Sequence, residues 1–270
     1  MKSTQIVFIL LSLLMFTACD PQTQEKIQEK LESIDGFEAG NASITGELQT
    51  GEDALTAVRE KPLRPELECA SVLHDTSTQT ITLDFGTSPC LGADGKSRSG
   101  IMQLVYGGNF KNPDKYRLLI FKNFKSDTVV INGRFIYDPI EQNGNGDLTV
   151  SVKADSINLA FDNGNTFSFD MERTWTWTEG IANNDPTDDV YEVTGTATGI
   201  NSKNKEFSME ITQALVYKTT CWSSSIYYAT QGILEARENR KTFVVDYGSG
   251  LCDKEITVTV GNQTDVVTLP

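Results

Sequence analysis

The chain is short of histidine: His74 is the single one in 270 residues. Any Ser-His-Asp or Cys-His nucleophile must use it, and no G-x-S-x-G elbow accompanies it. It lies in "VLHDTST", which reads as a surface loop. Cysteine is sparse as well, five residues with no C-x-x-C pair, so the ligand spacing of a zinc site is missing. Basic residues are outnumbered, 23 against 37 acidic. The resulting net charge of −14 repels phosphate backbones and argues against a nucleic-acid partner. Beyond residue 16 no apolar run approaches the roughly 20 residues of a spanning helix. The composition calls for no cofactor.

What is present begins with an address. "MKSTQIVFILLSLLMFTACD" has a basic Lys2, an apolar core from Ile6 to Phe16, the small residues Thr17 and Ala18, then Cys19. This is a secretory signal peptide over residues 1–18. "FTAC" resembles the lipobox of bacterial lipoproteins, with Phe16 in place of the commoner Leu. The resemblance implies cleavage before Cys19, a diacylglyceryl thioether on its sulfur and an acyl chain on its amine. Two or more chains anchor a protein stably where one is marginal. The membrane is then a partner through Cys19. Losing Lys2 leaves 22 basic and 37 acidic residues, a net −15.

Four cysteines remain, an even count that reads as two disulfides in an exported protein. Spacing alone leaves all three pairings open. A repeated phrase favours one of them. "ITLDFGTSPC" and "FVVDYGSGLC" align Asp84 with Asp246, Phe85 with Tyr247 and Gly86 with Gly248. Each copy ends in a Cys and has another upstream, which favours Cys69–Cys90 and Cys221–Cys252. In each copy the aromatic is expected to face inward and the Gly to take a positive φ. The Asp is placed to accept from amides of the turn. A kinase reading of D-F-G fails, because H-R-D is absent and the second copy reads D-Y-G.

Residues 19–65 read as a polar, lipid-anchored tether with short helices. Ile27, Leu31 and Ile34 predict an amphipathic helix near Gln24 to Ile34. "GFEAGNASITGELQTG" reads as loop, and "EDALTAVRE" as a helical turn or two ended by Pro62 and Pro65. Residues 66–270 read as an all-β domain with two disulfide-stapled repeats. In "TFSFDMERTWTWT", Phe167, Phe169, Met171, Trp175 and Trp177 share one parity, and polar residues share the other. Asn163-Gly164 marks a hairpin. The apolar parity flips between Ala154 and Ile157, so a bulge is expected at Asp155-Ser156. The fold class is therefore all-β. About ten strands form a large antiparallel curved meander or sandwich, with a short N-terminal helical and linker region.

"ITLDFGTSPCLGADGKSRSGIMQLVY", "INGRF" and "FVVDYGSGLCDKEITVTV" together resemble a group of β-rich lipoproteins of Bacteroidota. The resemblance covers roughly residues 69 to 270 in layout. It implies an exported β-rich lipoprotein and assigns no catalytic residue. "CDPQTQEK" lacks the acidic run that resembles a surface-export signal in that phylum, so a periplasm-facing anchor is as well supported as surface display.

The remaining chemistry is thin. Asp185, Asp188 and Asp189 in "NNDPTDD" cluster oxygen ligands and form the one weak Ca²⁺ candidate, although an acidic loop is usually just solvated. Trp175, Trp177 and Trp222 would serve as a sugar platform only if their face lined a cleft. Asp170 and Glu172 read as a solvated strand face. The leading expectation is a non-catalytic binding or structural lipoprotein of the cell envelope, in the outer membrane, with a protein, glycan or lipid partner. The alternative is a carrier of lipid or another apolar ligand in a curved-sheet cavity. A carbohydrate-active enzyme, needing two carboxylates across a groove, comes third.

Overall fold

A computed structural model describes residues 36, 38, 40, 42–45, 47, 69–107, 117–183, 185 and 187–269. Among these residues the period-2 patterning produces fifteen antiparallel strands in one open sheet. The first group is β1 (Ser71–Asp75), β2 (Thr80–Asp84), β3 (Cys90–Leu91), β4 (Ser97–Tyr106), β5 (Arg117–Ser126) and β6 (Val129–Tyr137). The middle group is β7 (Glu141–Gln142), β8 (Leu148–Phe161), β9 (Thr166–Glu179), β10 (Val190–Asn201) and β11 (Glu206–Lys218). After a helical turn at Thr219–Trp222 come β12 (Gln231–Glu238), β13 (Lys241–Ser249), β14 (Glu255–Val260) and β15 (Gln263–Thr268). Each long strand pairs with the next long strand, while the two-residue β3 and β7 pair with β4 and β8. Among the described residues the architecture is a curved meander in a single sheet, without the second sheet of a sandwich. Two of the strands beyond the expected ten are the two-residue β3 and β7, too brief to show a period. His74 lies within β1, not in a loop.

One face of the sheet is apolar. Ile81, Met102, Phe121, Phe135, Leu159, Phe169, Leu234 and Val245 all belong to one contiguous core. The expected phase break is a register shift between Ala154 and Ile157, where Ser156 has φ 54°. It keeps Ala154 and Ile157 both buried. Further shifts fall at Gly100 in β4, Gly133 in β6, Gly195 in β10 and Gly232 in β12. At Gly195 a Cβ would collide with the Glu172 carbonyl oxygen and stand 2.8 Å from Arg173 Cα. Bulges of this kind bend and twist the strands that carry them.

The curvature is large. Seven strand spacings separate β4 from β12, roughly 34 Å if the sheet were flat. Yet Lys96, in the turn before β4, holds its ammonium 4.8 Å from the ring centroid of Tyr227, just ahead of β12. The sheet curls until these loops meet.

A helix fills the hollow. Every described residue from 36 to 47 is helical, although the stretch read as loop in the sequence. Glu38, Gly40, Ala42, Ile44, Thr45 and Glu47 are buried. At 100° per residue they spread over roughly 220° of the helical circumference, and the half-buried Gly36 and Ser43 fall in the remaining sector, so most of the helix surface is covered. Its glycines make that fit possible. A Cβ on Gly36 would come 2.5 Å from the Phe167 ring, and one on Gly40 would overlap Leu159. Local propensity disfavours Gly, Asn, Ser and Thr in a helix; packing inside the sheet overrides it. The helix expected at Gln24–Ile34, the "EDALTAVRE" turn, Pro62, Pro65 and Cys19 lie outside the described residues.

Candidate functional site

Two buried acids, Glu38 and Glu47, hold the described part of the helix near its first and last described residues. Near its C-terminal end, Glu47 has a side chain with no solvent exposure. It accepts hydrogen bonds from Arg98 Nε at 2.9 Å and Ser126 Oγ at 2.7 Å, with Lys96 Nζ at 3.5 Å. Arg98 is equally buried and turns its other nitrogens to Asp94, at 3.0 and 2.6 Å. Burial alone would depress the Arg98 pKa, but the carboxylates of Asp94 and Glu47 outweigh it and push it further up. Burial pushes Asp94 upward too, and is outweighed by the hydrogen bonds and charge of Arg98 and by Lys96.

Near the other end, Glu38 accepts a hydrogen bond from the Tyr247 hydroxyl at 2.6 Å. Burial first, then the negative charge of Glu38, holds the Tyr247 phenol well above its ordinary range. Tyr217 and Arg173 lie close enough to act on it electrostatically, Arg173 in the opposing sense. Arg173 is a charged residue on the inner face of β9, 3% exposed. Its odd number places it in the apolar parity set of "TFSFDMERTWTWT", and that is the signal by which the sequence could have revealed it. Glu38 and Glu47 carry no such signal, since their partners are 209 and 51 residues away.

One pin lies beside the repeated phrase and the other within it. Arg98 follows the first copy and Tyr247 belongs to the second, so the two units grip opposite ends of one helix. In both units the Asp accepts from the Gly amide two residues on, Gly86 N to Asp84 at 2.8 Å and Gly248 N to Asp246 at 2.9 Å. Gly86 and Gly248 have φ of 74° and 87°. Phe85 and Tyr247 are both buried. Phe85 packs edge-on against Phe124, where Tyr247 adds the hydroxyl that reaches Glu38. Disulfides join Cys69 to Cys90 and Cys221 to Cys252.

Three other places carry polar or aromatic chemistry. Half-buried Trp175 contacts Tyr217 at a tilt and Tyr191 edge-on, ring centroids 5.1 and 6.0 Å away, and Trp177 adjoins Tyr191. Trp222 pairs instead with Tyr227. On the outer face, a groove of about 590 Å³ crosses β9 to β12. Its floor includes the cross-strand row Asp170, Thr198, Ser208 and Arg237. Asp170 is occupied by the Ser156 amide, and Glu172 faces Lys153. His74 Nε2 lies 2.8 Å from the Tyr106 hydroxyl.

The third place is the loop after β9, and it separates the acidic trio. Asp185 turns to its own loop, accepting from Thr187 N and Oγ1, which hold it below the usual carboxylate range. Asp188 accepts from Asn183 Nδ2 at 2.8 Å. Asp189 is 5% exposed, with Oδ2 accepting from the Tyr191 hydroxyl at 3.2 Å. Burial above all pushes the Asp189 carboxyl up, and Asp188 and Asp185 add to it. Only Asp188 and Asp189 come together, beside Gly180.

No protein-family model, curated protein or solved structure matches this chain.

Proposed function

We propose that the chain is a lipid-anchored lipoprotein of the bacterial cell envelope, held in the outer membrane through Cys19, and that it acts as a non-catalytic binding or structural module. The observation that supports it is the use to which the buried ionisable groups are put. Glu38, Glu47, Arg98 and Tyr247 hold a helix in the hollow of the sheet. That makes the tether-side chain part of the core. The first described helical residue follows Cys19 by 17 positions, a reach of at most about 60 Å. A rigid sheet is thereby kept close to the bilayer, with its outer groove free to meet a partner.

Expression of the full-length chain in a bacterial host tests the anchor. Intact mass of the membrane fraction should show the acylated Cys19 species, and Cys19→Ser should release the protein to the periplasm. A wild-type protein found soluble and unacylated would end the reading.

One observation favours the carrier alternative. The helix in the hollow is built from poor helix formers and gripped by polar pins at its ends. Its withdrawal would open an apolar chamber. Native mass spectrometry of the mature chain separates the two readings: a co-purified lipid-sized mass supports the carrier, and a clean mass leaves the module.

A further inference from the structure

The last strand, β15, is an edge of the sheet. Among the described residues its only strand partner is β14, along an unbroken register from Glu255↔Thr268 to Val260↔Gln263. It is held at both ends. Gly261, at φ 61°, turns the chain into it. Beyond it the Leu269 amide donates to the Lys254 carbonyl at 2.7 Å, and Leu269 itself is buried. That bond fixes how the ladder alternates, because in an antiparallel pair only every second residue exchanges hydrogen bonds with the strand opposite. Leu269 belongs to the exchanging set, and with it Val267, Asp265 and Gln263. Thr264, Val266 and Thr268 therefore turn their N–H and C=O groups away from β14, to the open edge. Their side chains share the outer face, where the Thr264 hydroxyl lies 3.0 Å from that of Thr259. Val267, opposite the buried Ile256, takes the inner face.

Edge strands are ordinarily blunted by proline, lysine or a bulge, since their unpaired backbone groups are a template for another strand. β15 reads "QTDVVT", with no proline, no basic residue and no bulge. Val266, at its centre, is 67% exposed. The residues that address the open edge run Thr264, Val266, Thr268, a sequence that is the same in both directions.

We infer that β15 is a pairing edge for a second copy of this chain, joined antiparallel across a twofold axis at Val266. In that register Val266 meets the partner's Val266, and Thr264 meets the partner's Thr268. Each outward N–H then finds a carbonyl, and β-branched pairs line the outer face, a favourable cross-strand combination. Asp265 selects the register. A pairing centred on Asp265 would set two carboxylates directly opposite each other, which destabilises a sheet. Centred on Val266, Asp265 faces the partner's Val267 instead. A twofold contact uses the same patch on both copies, so the assembly closes at a dimer and does not grow into a fibre. The opposite edge, β1, lacks this symmetry: it reads "SVLHD" and ends in a charge.

The test uses the mature chain with Cys19→Ser, which removes the one cysteine outside the two staples. A short edge makes a weak contact, so sedimentation velocity should show a mass that climbs with concentration from one copy toward two. Val266→Pro removes an N–H that β14 does not use, so the thermal midpoint should hold. Self-association should weaken by about tenfold or more. Val266→Lys leaves the backbone untouched and should weaken it as well, which covers a proline variant that folds poorly. In the dimer the two Val266 Cα atoms lie about 5.5 Å apart, within disulfide reach. Mild oxidation of Val266→Cys should therefore give a reducible covalent dimer. Leu73→Cys, on β1 and 64% exposed, should stay monomeric. A wild type that is monomeric at every concentration, with no cross-linking of Val266→Cys, overturns the proposal. Association that survives both Val266→Pro and Val266→Lys also overturns it, and so does cross-linking of Leu73→Cys as readily as of Val266→Cys.

Discussion

Arg98 shows what one residue decides in this molecule. It is buried beside the equally buried Glu47, and the two charges compensate each other together with Asp94, Lys96 and Ser126. Arg98→Met should therefore destabilise by about 3–5 kcal/mol, the cost of stranding a buried carboxylate; urea unfolding monitored by tryptophan fluorescence checks it. Tyr247→Phe restores the residue found in the first repeat. It leaves Glu38 without its 2.6 Å donor, and the expected loss is about 1.5–3 kcal/mol by the same assay. Asp94 provides the pH signature. Its folded pKa lies below its ordinary value because Arg98 and Lys96 outweigh burial. Its contribution is thus complete above the unfolded value of about 3.9 and is lost as pH falls through the lower folded value. Stability of the wild type should fall along this limb below about pH 4, and Asp94→Asn should flatten it. An unchanged acid limb in the variant would contradict the assignment.

Elements are where propensity and packing disagree. Gly→Ala on an exposed helix face stabilises by roughly 1 kcal/mol. Gly40 sits with its Cα against Leu159 and Phe161, so Gly40→Val should instead cost about 1–3 kcal/mol through overpacking. A thermal melt followed by circular dichroism decides the sign, and a stabilised variant would mean that the helix does not lie in the hollow. The same conflict explains the misreading of residues 36–47 as loop. A window of Gly, Asn, Ser and Thr carries no helical period, and the sheet that encloses it comes later in the chain. The strands were easier to read, because alternation such as Phe167, Phe169 against Ser168, Asp170 is a local property. The bulge at Ser156 was legible for the same reason. The glycine bulges at Gly100, Gly133, Gly195 and Gly232 were not, since each matters only through a backbone on the neighbouring strand.

The described residues form one curled, open sheet with a helix in its hollow, stapled by two disulfides. The disulfides span 21 and 31 residues, and each should contribute about 3 kcal/mol by restricting the unfolded chain. Reduction should lower the urea midpoint in two separable steps, assigned with Cys69→Ala/Cys90→Ala and Cys221→Ala/Cys252→Ala double variants. A midpoint indifferent to reductant would show that the staples are idle. At this scale the local pattern by itself determined the all-β class, the faces of the long strands, the turns and the residues of the repeated phrase, because these follow from periods of two and from glycine and aspartate chemistry within a few residues. Only the tertiary structure decided that the loop-like stretch is a helix, that Arg98 and Tyr247 grip it, and that Asp188 and Asp189 come together beside Gly180. Those outcomes depend on burial and charge supplied by strands tens to hundreds of residues away, and no local stretch of sequence contains that energy.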